Sequence, residues 1–329
     1  MRRALDVGQI RAKRTVSSVC GESIIGRYLQ LPEMPEEELK KALQWEAEEY
    51  IPFRLSEVNI DSMILGRVKD SEIPKMDVLL VSAKKDLVNS HVSVLREAGL
   101  EPRIIDVDAF AFLNCFELNH TPPPGECVAL VNIGSEITSI NVFSDGISRF
   151  SRDISVGGET MTQAIKSRLG CTHVEAERLK ISQGAPILDA PAEDVGETTS
   201  HNLMETLRGS IEELANEQEE SENSPDVMAQ KAVVNVMTNL FSEVHRSIEF
   251  FESQYRSTNV SRVILGGGTA GLRNLPEAFE RDLQLAVEII DPLRRIRLGT
   301  RGPKQEEVGE IRQQLGVGIG LGIRGLLAA

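Results

Sequence analysis

The sequence predicts a mixed α/β protein built in two lobes, and three observations carry that prediction. At 329 residues the chain is too long for one small core and fits roughly two domains. Val128–Gly158 (VALVNIGSEITSINVFSDGISRFSRDISVGG) alternates apolar and polar residues, turns at Gly134-Ser135 and at Ser144-Asp145-Gly146, and ends on paired glycines. That pattern reads as a β-meander. Far downstream, Arg262–Leu265 reads as a buried strand, followed by GGGTAGL and a helix from Pro276 to Leu285.

Composition narrows the class. The chain is 41% hydrophobic and 26% charged, as in a globular protein, and carries a net charge of −14. That balance excludes nonspecific nucleic-acid binding, which rests on Lys and Arg. No run approaches the ~20 apolar residues of a membrane span, and the basic start MRRALDVGQIRAKR is followed by no apolar core of a signal peptide. Cys20, Cys115, Cys127 and Cys171 are isolated and show no zinc spacing, so they read as reduced structural thiols. The five histidines are equally scattered.

Along the chain, Thr15–Val19 and Ser23–Leu31 read as strands. In LPEMPEEELKKALQWEAEEYIPF, Pro35 suits a first helical position and Glu36, Glu37 and Glu38 suit the positive end of the dipole. Leu39, Ala42, Leu43, Ala47 and Tyr50 form one apolar face, and Pro52 stops the helix. Val58–Leu65 and Asp77–Ser82 read as strands, Asp86 as the cap of a helix to Ala98 with Gly99 closing it, and Arg103–Val107 as a further strand. Residues 58–107 are thus expected to form one βαβ-containing unit. Ala109–Leu118 is an apolar helix, and TPPPG at 121–125 a stiff connector.

After the meander, Glu159–Leu169 and His173–Ile181 read as helices. Residues 193–226 hold eleven acidic residues against one basic residue, Arg208, and read as a solvated insertion or an acidic partner patch. Val227–Tyr255 has the most sustained helical period, with Met237, Leu240, Phe241, Val244, Ile248, Phe251 and Tyr255 on one face. Val287–Ile290 reads as a strand. The closing LGVGIGLGIRGLLAA fits a strand, a loose tail or a close-packed helix.

Two chemistries compete for the glycine sites. Gly266-x-Gly268-x-x-Gly271 after a strand, with Glu288 downstream, matches a dinucleotide fingerprint and an NAD-dependent oxidoreductase. Taken together, the Gly-Ser turn and the later glycines fit instead a two-lobed nucleotide clamp of the actin-like kind. In it a hairpin cups phosphates with backbone N–H groups, and the second turn passes close to the adenosine.

The residues then resemble a particular family. LPEMPEEELKKALQWEAEEYIPF, VLLVSAKKDLVNSHVSVLREAGLEPRIIDVDAFA, NIGSEITSINVFSDGISRFSRDISVGGETMTQAI, VEAERLK, VILGGGTAGLRNLPE and GVGIGLGIRGL are together similar to the PilM family of type IV pilus assembly proteins. That family is actin-like (ribonuclease H-like) and related to FtsA. The resemblance covers nearly all of residues 13–329 apart from the acidic insertion. It implies an α/β ATPase fold with a partial first lobe, incomplete at its N-terminus, from 1–31, 103–125 and 300–329. It further implies an inserted 1C-like subdomain at 32–102 and a second lobe at 126–299.

For the sites, the resemblance places Asn132, Gly134, Ser135 and Thr138 in a second phosphate-binding motif and Gly157 and Gly158 in the turn beside it. Glu177 and Lys180 fall where the adenosine is contacted, and Gly266, Gly267, Gly268 and Ala270 in the adenosine motif. ATP with Mg2+ is the implied cofactor, the metal held mainly by phosphates and water. The implied partner is the N-terminal cytoplasmic peptide of PilN, with Trp45, Tyr50, Ile51 and Phe53 as candidate contacts. PilO, PilP and the motor and platform proteins follow indirectly, and self-association is a further expectation. The implied location is the cytoplasm, at the inner membrane through PilN.

The chain departs from the family pattern at its start. Ala4-Leu5-Asp6-Val7-Gly8 echoes the opening of a first phosphate motif, but Gln9-Ile10-Arg11 replace its small hydroxyl residues. The first phosphate hairpin and its sheet strands thus read as absent, which implies a start placed too late, a shortened chain or a pseudo-ATPase. The expectation is that this chain binds ATP weakly or not at all and does not hydrolyse it. An active ATPase driving assembly is the alternative. FtsA itself and GspL are disfavoured by the lack of an amphipathic membrane helix and of a membrane span.

Overall fold

The computed structural model describes residues 1–68, 74–186, 224–255, 258–299, 308–309 and 311–328. The acidic stretch 193–226 lies outside the described residues up to 223. The chain divides into two units: the first is Met1–Leu130, Ser139–Ser155 and Asp291–Ala329, the second Val131–Thr138 and Val156–Ile290.

In the first unit, Arg2–Val7 is a short helix, α1, so the Ala4–Gly8 echo is not a strand. β1 (Arg14–Val19) pairs in parallel with β5 (Glu101–Val107). β2 (Ile24–Pro32), β3 (Val58–Arg67) and β4 (Lys75–Lys84) form an antiparallel sheet in the order β2-β4-β3. Helix α2 (Glu36–Tyr50) lays Leu39, Leu43 and Ala47 on that sheet, and Leu29, Leu31, Ile51, Met76, Val78 and Leu80 complete the core. This is the amphipathic burial that the helical period demands. Pro35 is its N-cap residue rather than its first helical residue, and Tyr50 is exposed while Ile51 takes the core position.

The expected βαβ unit does not form. Helix α3 (Lys85–Glu97) does link β4 to β5, but β4 is the centre of the antiparallel sheet and β5 belongs with β1. Local periodicity identifies a strand but not its partner. Lys84 occupies the N-cap of α3, with Asp86 in the first turn, where its charge still meets the dipole. Helix α4 (Asp108–Asn119) is buried around most of its circumference, including Phe112, Cys115 and Phe116. A hydroxyl pair (Tyr28 with Ser148) and an ion pair (Arg149 to Asp77, 2.7 Å) join the three-stranded sheet to the meander.

The meander is β6 (Cys127–Ile133), β7 (Thr138–Ser144) and β8 (Ile147–Ile154), neighbours in that order as predicted. Every residue of β6 and β7 is buried. In the second unit, β9 (Arg262–Gly266) lies between the end of β6 and β10 (Ala286–Ile289). β9 and β10 run parallel. Around them in the second unit lie α5 (Gly158–Leu169), α6 (His173–Gln183), α7 (Pro225–Gln254) and α8 (Leu275–Leu283). Thr172 and Glu175 form a capping box on α6, and Ser224 caps α7 with Pro225 at its start.

The glycine-rich closing segment is a helix, α9 (Gly316–Leu327), packed on α4 in the first unit. Gly316 lies on Phe112, and a Cβ at Gly320 would overlap the Ala111 carbonyl oxygen. Small residues at i and i+4 let the two backbones approach.

Candidate functional site

The predicted phosphate residues lie together in the second unit. β6 ends at Ile133, with buried Asn132 beside it, and the chain turns through Gly134–Ile137. The Gly134 N–H donates to the Ile137 carbonyl at 2.9 Å, closing the turn. Thr138 is fully buried, and its hydroxyl donates to the Val156 carbonyl at 2.7 Å, so it is committed inside the fold. Two carbonyls of the turn accept from the start of α5: Gly134 from the Gly158 N–H at 3.0 Å and Ser135 from the Glu159 N–H at 2.7 Å. Gly157 has to be small, because a Cβ there would sit 2.8 Å from the Gly134 oxygen.

A trans peptide unit points its C=O and N–H in opposite directions. Because the Gly134 and Ser135 carbonyls are held inward, the N–H groups of Ser135 and Glu136, in the same two peptide planes, point away from the fold. Neither donates to a protein acceptor among the described residues, and both residues are exposed. Two successive outward N–H groups can donate to one anion.

The second glycine site closes on the first. Gly266 ends β9, and Gly268–Gly271 make one turn of 3-10 helix. Gly267 has φ +87°, and a Cβ on it would lie 2.6 Å from the Ile133 carbonyl carbon. Only glycine meets both demands. Ala270 is fully buried and Gly268 is exposed. The buried Thr269 hydroxyl donates to the Gly134 carbonyl at 2.9 Å.

Glu177 and Lys180 form an ion pair of 2.7 Å on α6. The Lys180 ammonium, almost fully buried, donates to Glu177, to the Thr162 hydroxyl at 3.0 Å and to the Gly158 carbonyl at 3.1 Å. All three of its protons are therefore used within the protein. Thr162 also lies 2.6 Å from the Glu177 carboxylate. Partial burial pushes the Glu177 carboxyl up, but the bonds from Lys180 and Thr162 outweigh it and hold the group below the usual carboxylate range. Sequence reading missed Thr162 and Thr269. The signal for Thr269 was its position, a hydroxyl residue inside GGGTAG.

The dinucleotide alternative fails on geometry. The glycines lead into a 3-10 turn, with the helix delayed to Leu275, and Gly267 packs on backbone instead of leaving room for a pyrophosphate. Glu288 pairs with Arg262 at 3.1 Å.

The four candidate partner contacts do not form one surface. Trp45 is 78% exposed and Tyr50 38%, whereas Ile51 is in the core of α2 and its sheet, and Phe53 packs against that core under the Lys84 ammonium. A small depression elsewhere in the first unit is lined by Ile24, Gly26, Val81, Phe110, Arg152 and Asp153. Burial pushes the Asp153 carboxyl up, partly offset by bonds from the Gly21 N–H at 2.6 Å and from Ser139.

A phosphate-type turn between the first two strands of a meander, closed by a glycine turn after a parallel strand, belongs to the actin-like fold. The family model described as type IV pilus assembly protein PilM matches residues 1–190, more than half of the chain, and the chain belongs to that family. A model described as cell division protein FtsA matches residues 129–308. Among solved structures, a chain of the PilM-PilN type IV pilus biogenesis complex superposes with a TM-score of 0.77 at 25% identity, covering 98% of this chain and 83% of that one. FtsA of Bacillus subtilis is 24% identical over 218 residues, 65% of this chain and 44% of its own. FtsA of Helicobacter pylori is 24% identical over 198 residues, 60% of this chain and 37% of its own. The chain thus spans less than half the length of these curated relatives.

Proposed function

We propose that this chain is a scaffold of type IV pilus assembly that binds the N-terminal cytoplasmic peptide of PilN and holds ATP at the Gly134–Glu136 turn. The observation that carries the reading is the match over 98% of the chain to a structure of the PilM-PilN complex. Through PilN the chain would join PilO, PilP and the platform at the inner membrane, on its cytoplasmic side. No described helix is long and apolar enough to cross a membrane, so attachment through a partner fits.

For the peptide, a small depression lined by Ile24, Gly26, Val81 and Phe110, with Arg152 and Asp153 at β8, sets apolar and charged groups side by side. That is the chemistry a short peptide needs for affinity and register. For the nucleotide, the outward Ser135 and Glu136 N–H groups fit a phosphate chain, and the Gly266–Ala270 turn beside them is the expected place of the adenosine. No cluster of three or more His, Cys, Asp or Glu gathers among the described residues, so Mg2+ would be held by the phosphates and water.

Titration of a labelled PilN N-terminal peptide into the whole chain tests the partner. Saturable binding that Val81→Asp abolishes is expected, and no binding by the folded chain overturns the reading.

A further inference from the structure

Resting on the nucleotide reading above, we propose that Thr269 is a positioning residue for phosphate: it locks the Gly134–Ser135 peptide in the orientation that presents the Ser135 N–H to the ligand.

The Gly134 carbonyl oxygen is the node. It accepts from two donors that come from segments far apart in the chain, the Gly158 N–H at 3.0 Å and the Thr269 hydroxyl at 2.9 Å. Both of its acceptor sites are thereby filled. The Gly158 donor is backbone and survives any side-chain change. Thr269 is the one side chain on the node, and it is buried, so water does not replace it freely.

The residue before the bond that would rotate is glycine. A Gly134 ψ rotation coupled to a Ser135 φ rotation turns that peptide over without a Cβ clash at Gly134. Such a flip would aim the carbonyl at the phosphate and bury the N–H. An oxygen dipole facing an anion is repulsive, so the flipped turn would not bind. Two donors on the carbonyl oppose the flip, and one of the two is Thr269. The hydroxyl also packs against Gly158, where a Cβ would overlap it, so the α5 start, the turn and the β9 glycines meet at one atom. The Glu177–Lys180–Gly158 chain of bonds braces the same junction from α6.

The test compares wild type, Thr269→Val and Thr269→Ser, measuring Mg-ATP and Mg-ADP by calorimetry and adenosine by displacement of a fluorescent ATP analogue. Valine keeps the shape and removes the donor; serine keeps the donor. Thr269→Val is expected to weaken Mg-ATP and Mg-ADP about tenfold while adenosine changes less than about twofold, and Thr269→Ser to stay within about twofold of wild type for all three. A valine variant that binds Mg-ATP like wild type overturns the role of Thr269 and leaves the nucleotide reading standing. A valine variant that loses adenosine and Mg-ATP alike also overturns it, since that is a packing or folding defect. Wild type that binds no Mg-ATP overturns the nucleotide reading itself and this inference with it.

Discussion

At the scale of single residues, the candidate site rests on atoms that are missing. Gly267 combines a positive φ of 87° with a backbone carbonyl where a Cβ would go. Gly267→Ala should destabilise the protein by at least about 1–3 kcal/mol and abolish saturable Mg-ATP binding, read by thermal unfolding and calorimetry; an unchanged melting temperature would contradict the geometry. The cysteines divide in the same residue-level way. Cys115 is fully buried, and desolvation pushes its thiol up to about 12. Cys127 is buried as well, while Cys20 and Cys171 are partly exposed. Since the thiolate is the nucleophile, a native thiol titration near pH 8 should count two of the four cysteines rapidly, and all four only after unfolding.

At the scale of elements, helix contacts make two further predictions. α9 sits on α4 through Gly320, directly over the Ala111 carbonyl. Gly320→Val should separate these helices and lower stability by roughly 1–3 kcal/mol or more, whereas Gly322→Ala, which meets nothing within 4 Å, should be nearly neutral or stabilising in chemical denaturation. α7 and α8 are joined by Phe241 edge-on to Phe279 at 4.7 Å and by His245, 3.2 Å from the Asp282 carboxylate. Hydrogen bonding to Asp282 raises the His245 pKa above its ordinary 6.5, with a smaller push from Glu249 and against an opposing effect of burial. The folded state therefore favours the protonated ring. The stability this contributes is fully present below the unfolded value and is lost as pH rises through the folded one. The melting temperature of wild type should fall more steeply than that of His245→Gln between about pH 6 and 8. Parallel slopes would show that the pair does not act this way.

For the whole molecule, the two proposed ligands address different units, which makes their effects separable by hydrogen exchange. Mg-ATP should protect residues 131–138, 157–162 and 266–270. The PilN peptide should instead protect 24–26, 81, 107–110 and 151–153. Mg-ATP at about 100 times its dissociation constant should also add about 2.7 kcal/mol of apparent stability. Protection of the same segments by both ligands would argue that the sites are not distinct.

Much of the molecule was legible from local pattern. The stripe of Leu39, Leu43 and Ala47, the meander with its two turns and the strand–glycine turn near Gly267 all stand where their spacing put them. The matches of residue runs to the PilM family are likewise a property of the sequence, and the family model agrees. Spacing of 2 or 3.6 is a local property, so it identifies an element and its buried face. It says nothing of which distant segment supplies a partner. That is why the β4–α3–β5 run looked like one unit, although its strands join different sheets. It is also why Tyr50 and Ile51 exchanged the surface and core positions expected of Tyr50. The direction of the Ser135 N–H belongs wholly to tertiary structure. It is set by carbonyls held by Gly158, Glu159 and Thr269, the last 135 positions away from Gly134. The sequence alone determined that a glycine turn exists after β6 and which family it resembles; only folding decided which way its peptides face, because hydrogen-bond partners from remote segments choose between the two orientations that glycine leaves open.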